Sequence, residues 1–312
     1  MRHTESFIDC HQHFWDLGRN PYPWLQSEEV PFRYGNYSAL KRDYLPPDFA
    51  QDTAADAPVA TVHIEAEWDR RSPLEETRWL TRLAERTGRP DACVAHAALD
   101  GPDVAELLAL QAAFPLVRGI RHKPVTAGRE ADARRGLPGS MDDPAWRAGY
   151  ALLARHGFSF DLQAPWWHLR QASELAADFP GTTLVLNHTG LPSDRSVEGL
   201  RKWRLALASL AEHPNTAIKV SGLGQAGRRW TTQANLPIIR DAIEIFGAER
   251  CMFASNFPVD SLVTDYATIL AGFREAIAFR PAHERRALLA GNARRIYRLE
   301  SVGPAGEPGS CS

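Results

Sequence analysis

Short runs rich in β-branched and apolar residues alternate with longer stretches in which apolar residues return at helical spacing. The short runs predict strands at Phe7–His13, Val59–Trp68, Ala92–Leu99, Val117–Lys123, Phe158–Gln163, Thr183–His188, Ala217–Gly222 and Met252–Ser255. The longer ones predict helices at Pro73–Thr87, where Leu74, Trp79, Leu80 and Leu83 fall at helical spacing, and at Val104–Ala113, Ala145–His156, Leu169–Asp178, Val197–Glu212 and Leu236–Phe246. Strands separated by helices argue for parallel pairing through crossovers. Eight of them in a 312-residue chain match one (β/α)8 barrel over residues 1–300 better than a doubly wound sheet, which normally closes with fewer strands.

Two segments break this rhythm. Residues 15–58 hold NPYPWL, FRYGNY and YLPPDF, a stretch too long for an ordinary βα loop, and residues 124–143 form a second long loop with Gly, Arg and Pro. Both follow strands, so both are expected over the C-terminal face, where barrel enzymes keep their sites. The final SVGPAGEPGSCS, residues 301–312, reads as a disordered tail.

Composition narrows the class of partner. A formal charge of −2, a pI near 6.6 and scattered basic residues leave no footprint for nucleic acid or an anionic membrane, and favour a small neutral or acidic ligand. The four cysteines stand far apart, which fits a reducing cytoplasm better than a disulfide framework or a thiolate metal site. With no signal-peptide core and no long apolar run, the expectation is a soluble cytoplasmic protein; a homo-oligomer stays open.

The polar residues that interrupt the strand runs carry the chemistry. In IDCHQHFWD, His11 and His13 are two apart and share a strand face, so their imidazoles can serve one metal. His188 ends the sixth strand in LVLNHTG and is expected on the same rim. Three neutral imidazoles with an open position suit a divalent cation, zinc first, that activates water. HIEAEWD supplies Glu65, GIRHKP supplies Arg121 and His122, and DLQAPWWH supplies Gln163 and Trp166. The planar fork of Arg121 suits a carboxylate or carbonyl oxygen. Trp24, Trp166 and Trp230, with Glu65, are the candidate substrate contacts. No G-x-S-x-G elbow, P-loop or dinucleotide fingerprint is present, so the classes that need them drop out.

In this order, H-x-H on the first strand, GIRH on the fourth, LNHTG on the sixth, KVSGL on the seventh and SNFP on the eighth, the set resembles the amidohydrolase superfamily. More narrowly it resembles the branch that holds L-fuconolactonase and 2-pyrone-4,6-dicarboxylate lactonase. The resemblance runs from FIDCHQHFWD to GNARRIYRL. It implies a (β/α)8 barrel that hydrolyses a small cyclic ester, with His11, His13 and His188 at the metal position and Arg121 at the fourth-strand arginine. Members differ in needing a metal, so a metal-free reaction stands beside the zinc reading. Amide hydrolysis, decarboxylation and a pocket kept only for binding are the alternatives.

One position departs from the pattern. Asn256 stands where the family places the aspartate that takes a proton from water, and an amide cannot hold that proton near neutral pH. Asn256 is therefore expected to stay in the site as a hydrogen-bonding residue. The base falls to His122, Glu65, Asp260 or a metal-held hydroxide. Asparagine before an aromatic-proline pair also suits a turn, which is the competing reading of the same residue.

Overall fold

The computed structural model describes residues 5–299, so the expected tail at 301–312 lies outside the described residues. Eight parallel strands pair in chain order: β1 (Ile8–Gln12), β2 (Ala60–Ile64), β3 (Ala92–His96), β4 (Val117–Arg121), β5 (Ser159–Leu162), β6 (Leu184–Leu186), β7 (Thr216–Val220) and β8 (Cys251–Phe253). Beyond β8 the chain returns to β1. Asn256 N donates to His11 O at 2.8 Å and His13 N donates to Phe257 O at 2.8 Å, which completes a (β/α)8 barrel. The ladders stop short of the predicted strand ends because the next residues turn away into the loops that carry the site.

Small and branched residues such as Ile8, Ala60, Val62, Val94 and Val185, with Met252, fill the barrel and meet Ile296 and Tyr297 from the helix Asn292–Tyr297. A second, larger core lies between sheet and helices. There the helix between β2 and β3, Pro73–Thr87, buries Trp79, Leu80 and Leu83. Its sequence explains its bounds: proline at its start, Glu75 and Glu76 in the first turn, Arg86 in the last, and Gly88 at φ 73° to leave the helix.

The helix Leu169–Asp178 has the predicted bounds. The helix Thr232–Phe246 begins four residues before the predicted start, because Thr231 caps it through Ala234 N and Pro237 is accommodated inside. The stretch expected at 145–156 divides into the helix Pro144–Ala151 and a 3-10 turn, Leu153–His156. Among the described residues no helix is long and apolar enough to cross a membrane.

The first long loop is an aromatic layer over the mouth. Trp15 and Tyr44 exchange backbone hydrogen bonds at 2.9 Å, and the rings of Trp24 and Phe32 lie parallel with centroids 5.9 Å apart. The second docks sideways: Ala127 N donates to His168 Nε2 at 2.9 Å and Trp167 Nε1 to Ala127 O at 3.0 Å. None of its residues lines the cavity described next.

Candidate active site

A bulge decides where the first two histidines point. Asp9 pairs with Thr61 but Gln12 with His63, so β1 carries one residue more than its partner between these points. Before the bulge Asp9 faces the helices, taking hydrogen bonds from the Ser255 hydroxyl at 2.5 Å and the Tyr266 hydroxyl at 3.1 Å. After it the odd-numbered side chains face the mouth: the His11 ring centroid lies 5.0 Å from that of His13 and 4.5 Å from that of His188. The three predicted histidines do converge.

His188 arrives through a strained exit from β6. His188, Thr189, Gly190 and Leu191 all have positive φ, a conformation that costs about 1–2 kcal/mol for each residue other than glycine. The Thr189 hydroxyl donates to Ser221 O at 2.9 Å and Trp203 Nε1 donates to Thr189 O at 2.8 Å, which hold the turn. Gly222, at φ +63°, leaves the room: a Cβ there would stand 2.6 Å from His188 Cβ and 2.9 Å from Arg33 Nη1. Strained backbone gathers at functional sites, and Glu67, His188, Leu191 and Asn256, all at positive φ, line one cavity.

All three imidazoles are held neutral. Burial lowers each pKa well below the ordinary value, and neighbouring charges add to it: Lys219 beside His11, Arg121 beside His13, Arg33 and Arg121 beside His188. His13 Nδ1 lies 2.8 Å from Ile64 O, which can only accept, so Nδ1 carries the hydrogen and Nε2 keeps its lone pair. His188 Nδ1 lies 3.0 Å from Ser221 Oγ. Both ring nitrogens of His11 are buried without a hydrogen-bond partner.

The placement of Asn256 is compatible with both of its readings. It sits at φ 61°, where asparagine is tolerated, and it lines the cavity. Its Nδ2 donates to Asp260 Oδ1 at 2.6 Å. Asp260 is buried, and burial raises its pKa against the opposing pull of Arg33, Asn256 and Tyr34.

The cavity measures about 350 Å³. Its polar lining includes His13, His188, Asn256, Arg33, Arg121, Gln163 and the ion pair of Lys123 with Glu67, and its apolar lining includes Trp15, Trp24, Phe32, Leu191 and Val259. Arg121 is held by Glu65: its Nε donates to Glu65 Oε1 at 2.6 Å and its Nη2 to Glu65 O. Burial pushes the Glu65 carboxyl up, but the guanidinium of Arg121, with Arg70, His96 and Lys123, outweighs that and holds it well below the usual carboxylate range. Glu65 is thus a fixed anion that positions Arg121, and among the described residues it lines no part of the cavity.

Other predicted residues fall elsewhere. His122 faces away from the cavity, as its position beside Arg121 on a strand requires: Leu99 N donates to its Nδ1 at 3.0 Å and its ring stacks on Trp146. It cannot reach a substrate in the cavity. Trp230 packs beside Gly272, where a Cβ would come within 2.4 Å of its ring, and Trp166 packs edge-on against Trp167. Of the four predicted substrate contacts, Trp24 alone lines the cavity. Arg33 and Lys123 were not singled out from the sequence. Lys123 was legible, two residues after Arg121 and so on the same face, whereas Arg33 sits in an irregular loop without periodicity.

Comparison with known proteins bears on the family and the fold. A family model described as "Amidohydrolase" matches residues 8–299. An uncharacterized protein of Sinorhizobium fredii is 38% identical, covering 94% of this chain and 99% of its own length. An L-fucono-1,5-lactonase of Burkholderia multivorans is 32% identical over 94% of this chain and 96% of that protein. A crystal structure of an amidohydrolase from Burkholderia multivorans with bound zinc superposes with a TM-score of 0.78 at 29% identity, covering 95% of this chain and 100% of that one.

Proposed function

The chain belongs to the amidohydrolase family and is a hydrolase, and we propose that its reaction is the opening of a small lactone by water. The observation that carries this reading is one cavity lined at once by a proton-accepting imidazole, a water-orienting amide and the cations Arg33, Arg121 and Lys123. Its size suits a single small ring.

In the proposed mechanism a water lies between Asn256 Oδ1 and His13 Nε2 and attacks the lactone carbonyl as His13 takes its proton. Arg121, preorganised by Glu65 and with Nη1 directed to the cavity residue Gln163, stabilises the oxyanion that develops on the carbonyl oxygen, and Lys123, paired with Glu67, adds positive charge beside it. The tetrahedral intermediate collapses by breaking the ring C–O bond. His13, a strong acid once protonated because its site disfavours charge, returns the proton to the leaving alkoxide. The product is a hydroxy acid, which ionises to its carboxylate.

A divalent cation on His11, His13 and His188 would draw on their ring nitrogens. The unpartnered nitrogens of His11 and the lone pair on His13 are in the state a ligand needs. As a set they do not fit, because among the described residues no group of three or more His, Cys, Asp or Glu side chains is placed to hold an ion. The expected aspartate is an amide.

The test is a pH-indicator assay on a panel of γ- and δ-lactones, with elemental analysis of the same protein before and after chelation. The wild type is expected to open at least one lactone, and His13→Ala to lose about a hundredfold or more of kcat. No turnover on any lactone would remove the lactonase reading. Stoichiometric zinc, lost together with activity on chelation, would replace the imidazole base by metal-held water.

A further inference from the structure

Asp260 stands one step behind the cavity wall, and its Oδ1 accepts three side-chain hydrogen bonds: from Asn256 Nδ2 at 2.6 Å, the Tyr34 hydroxyl at 2.9 Å and Arg33 Nη2 at 3.3 Å. Two of these donors line the cavity, and they come from different parts of the barrel. Asn256 belongs to the exit of β8, while Arg33 and Tyr34 belong to the loop after β1 that covers the mouth. The seat for that loop is shaped to fit. A Cβ on Gly224 would come within 2.8 Å of the Tyr34 ring, and the Arg33 guanidinium lies 4.6 Å from the centroid of the same ring.

An amide has two ends of similar size and opposite polarity, so its neighbours decide which end faces the cavity. A carboxylate oxygen only accepts; it captures Nδ2 and leaves Asn256 Oδ1 for water. The donors of the seated loop meet the same oxygen and fix the carboxylate that fixes the amide. We propose that Asp260 is a positioning residue that couples the seating of residues 30–34 over the cavity to the orientation of the Asn256 amide. The proposal rests on the reading above in which Asn256 holds the attacking water. Its consequence is that water is aimed only when the mouth is covered.

A kinetic double-mutant cycle on the full chain tests it, with Asp260→Asn and Asn256→Ala made singly and together. Asp260→Asn is expected to lower kcat about tenfold or more while leaving the melting temperature near wild type, and to lower it no further once Asn256 is alanine. Equal losses in both backgrounds would overturn the coupling and leave Asp260 as a residue of the fold alone. Should Asp260→Asn not fold, Tyr34→Phe replaces it in the cycle, with a loss of about threefold that again requires Asn256. Coupling is reciprocal, so Asn256→Ala must also speed amide hydrogen exchange across residues 30–34 in the absence of any substrate. Unchanged exchange there overturns the proposal even if no lactone is turned over, which separates its failure from that of the lactonase reading.

Discussion

Two buried ion pairs bridge alternate strands of this barrel and do different things. Lys219 on β7 and Asp161 on β5 are both 0% exposed, and the Tyr297 hydroxyl donates to Asp161 as well, at 3.0 Å from Oδ2. Arg121 at the end of β4 and Glu65 just past β2 are nearly as buried, at 3% and 1%. The first pair is closed in on itself beneath the site and works as a tie across the barrel. In the second, Nε and Nη2 are spent on Glu65 while Nη1 turns to Gln163 at 3.4 Å, and both Arg121 and Gln163 line the cavity. What makes a buried pair part of a site is an unspent donor, which the guanidinium has to spare.

The largest effect should come from breaking the tie. Lys219→Ala leaves Asp161 buried without its cation and is expected to cost about 3–5 kcal/mol in urea denaturation. Replacing both residues with apolar ones of similar volume should restore most of that loss; a single variant as stable as wild type would show that the pair ties nothing.

Buried carboxylates also differ in whether a cation faces them, and pH reads the difference. Asp9 has only hydroxyl and amide partners, and burial raises its pKa from 3.8 to about 6. The folded protein therefore holds a proton there that the unfolded chain releases, so stability should fall by about 3 kcal/mol as pH rises through this window. Asp9→Asn should flatten that slope. Glu65, held low by Arg121 against burial, has the opposite sign: its contribution is present above its unfolded value of 4.5 and is lost as pH falls toward its lower folded value. Denaturation midpoints across acidic pH for wild type, Asp9→Asn and Glu65→Gln separate the two, and parallel curves for all three would contradict both assignments.

The smallest expected effect sharpens the comparison at the mouth. Arg121→Lys keeps the charge but not the fork, so the ammonium cannot serve Glu65 and the cavity in the same geometry. A fall of about tenfold to a hundredfold in kcat/KM is expected, with far less change in stability than Lys219→Ala. Unchanged steady-state constants would take Arg121 out of the reaction.

The barrel and the convergence of His11, His13, His188, Arg121 and Asn256 were legible because strand alternation and strand order are local signals that a closed sheet turns into one rim. The misplacements have physical causes. Arg121 and His122 are adjacent on a strand, so one of them had to face outward, and the motif alone does not say which. Trp166 and Trp230 carry no periodicity that separates a cavity wall from helix packing. Arg33 and Tyr34 reach Asp260 across more than 220 positions of sequence, at separations of 227 and 226, a contact set by how the loop seats rather than by any spacing. The helix Tyr266–Ile277 was also missed, although Asp265 caps it by accepting from Thr268 N at 2.8 Å.

The extra residue in β1 makes the histidine pair hard to transplant. A designer who copied IDCHQH onto a regular strand of another barrel would put Asp9, His11 and His13 on one face, so that either both rings enter the helix layer or Asp9 comes inward with them. The portable unit is the irregular strand with its neighbours Thr61 and His63, because the extra residue is what lets Asp9 face the helices while His11 and His13, of the same parity, face the mouth.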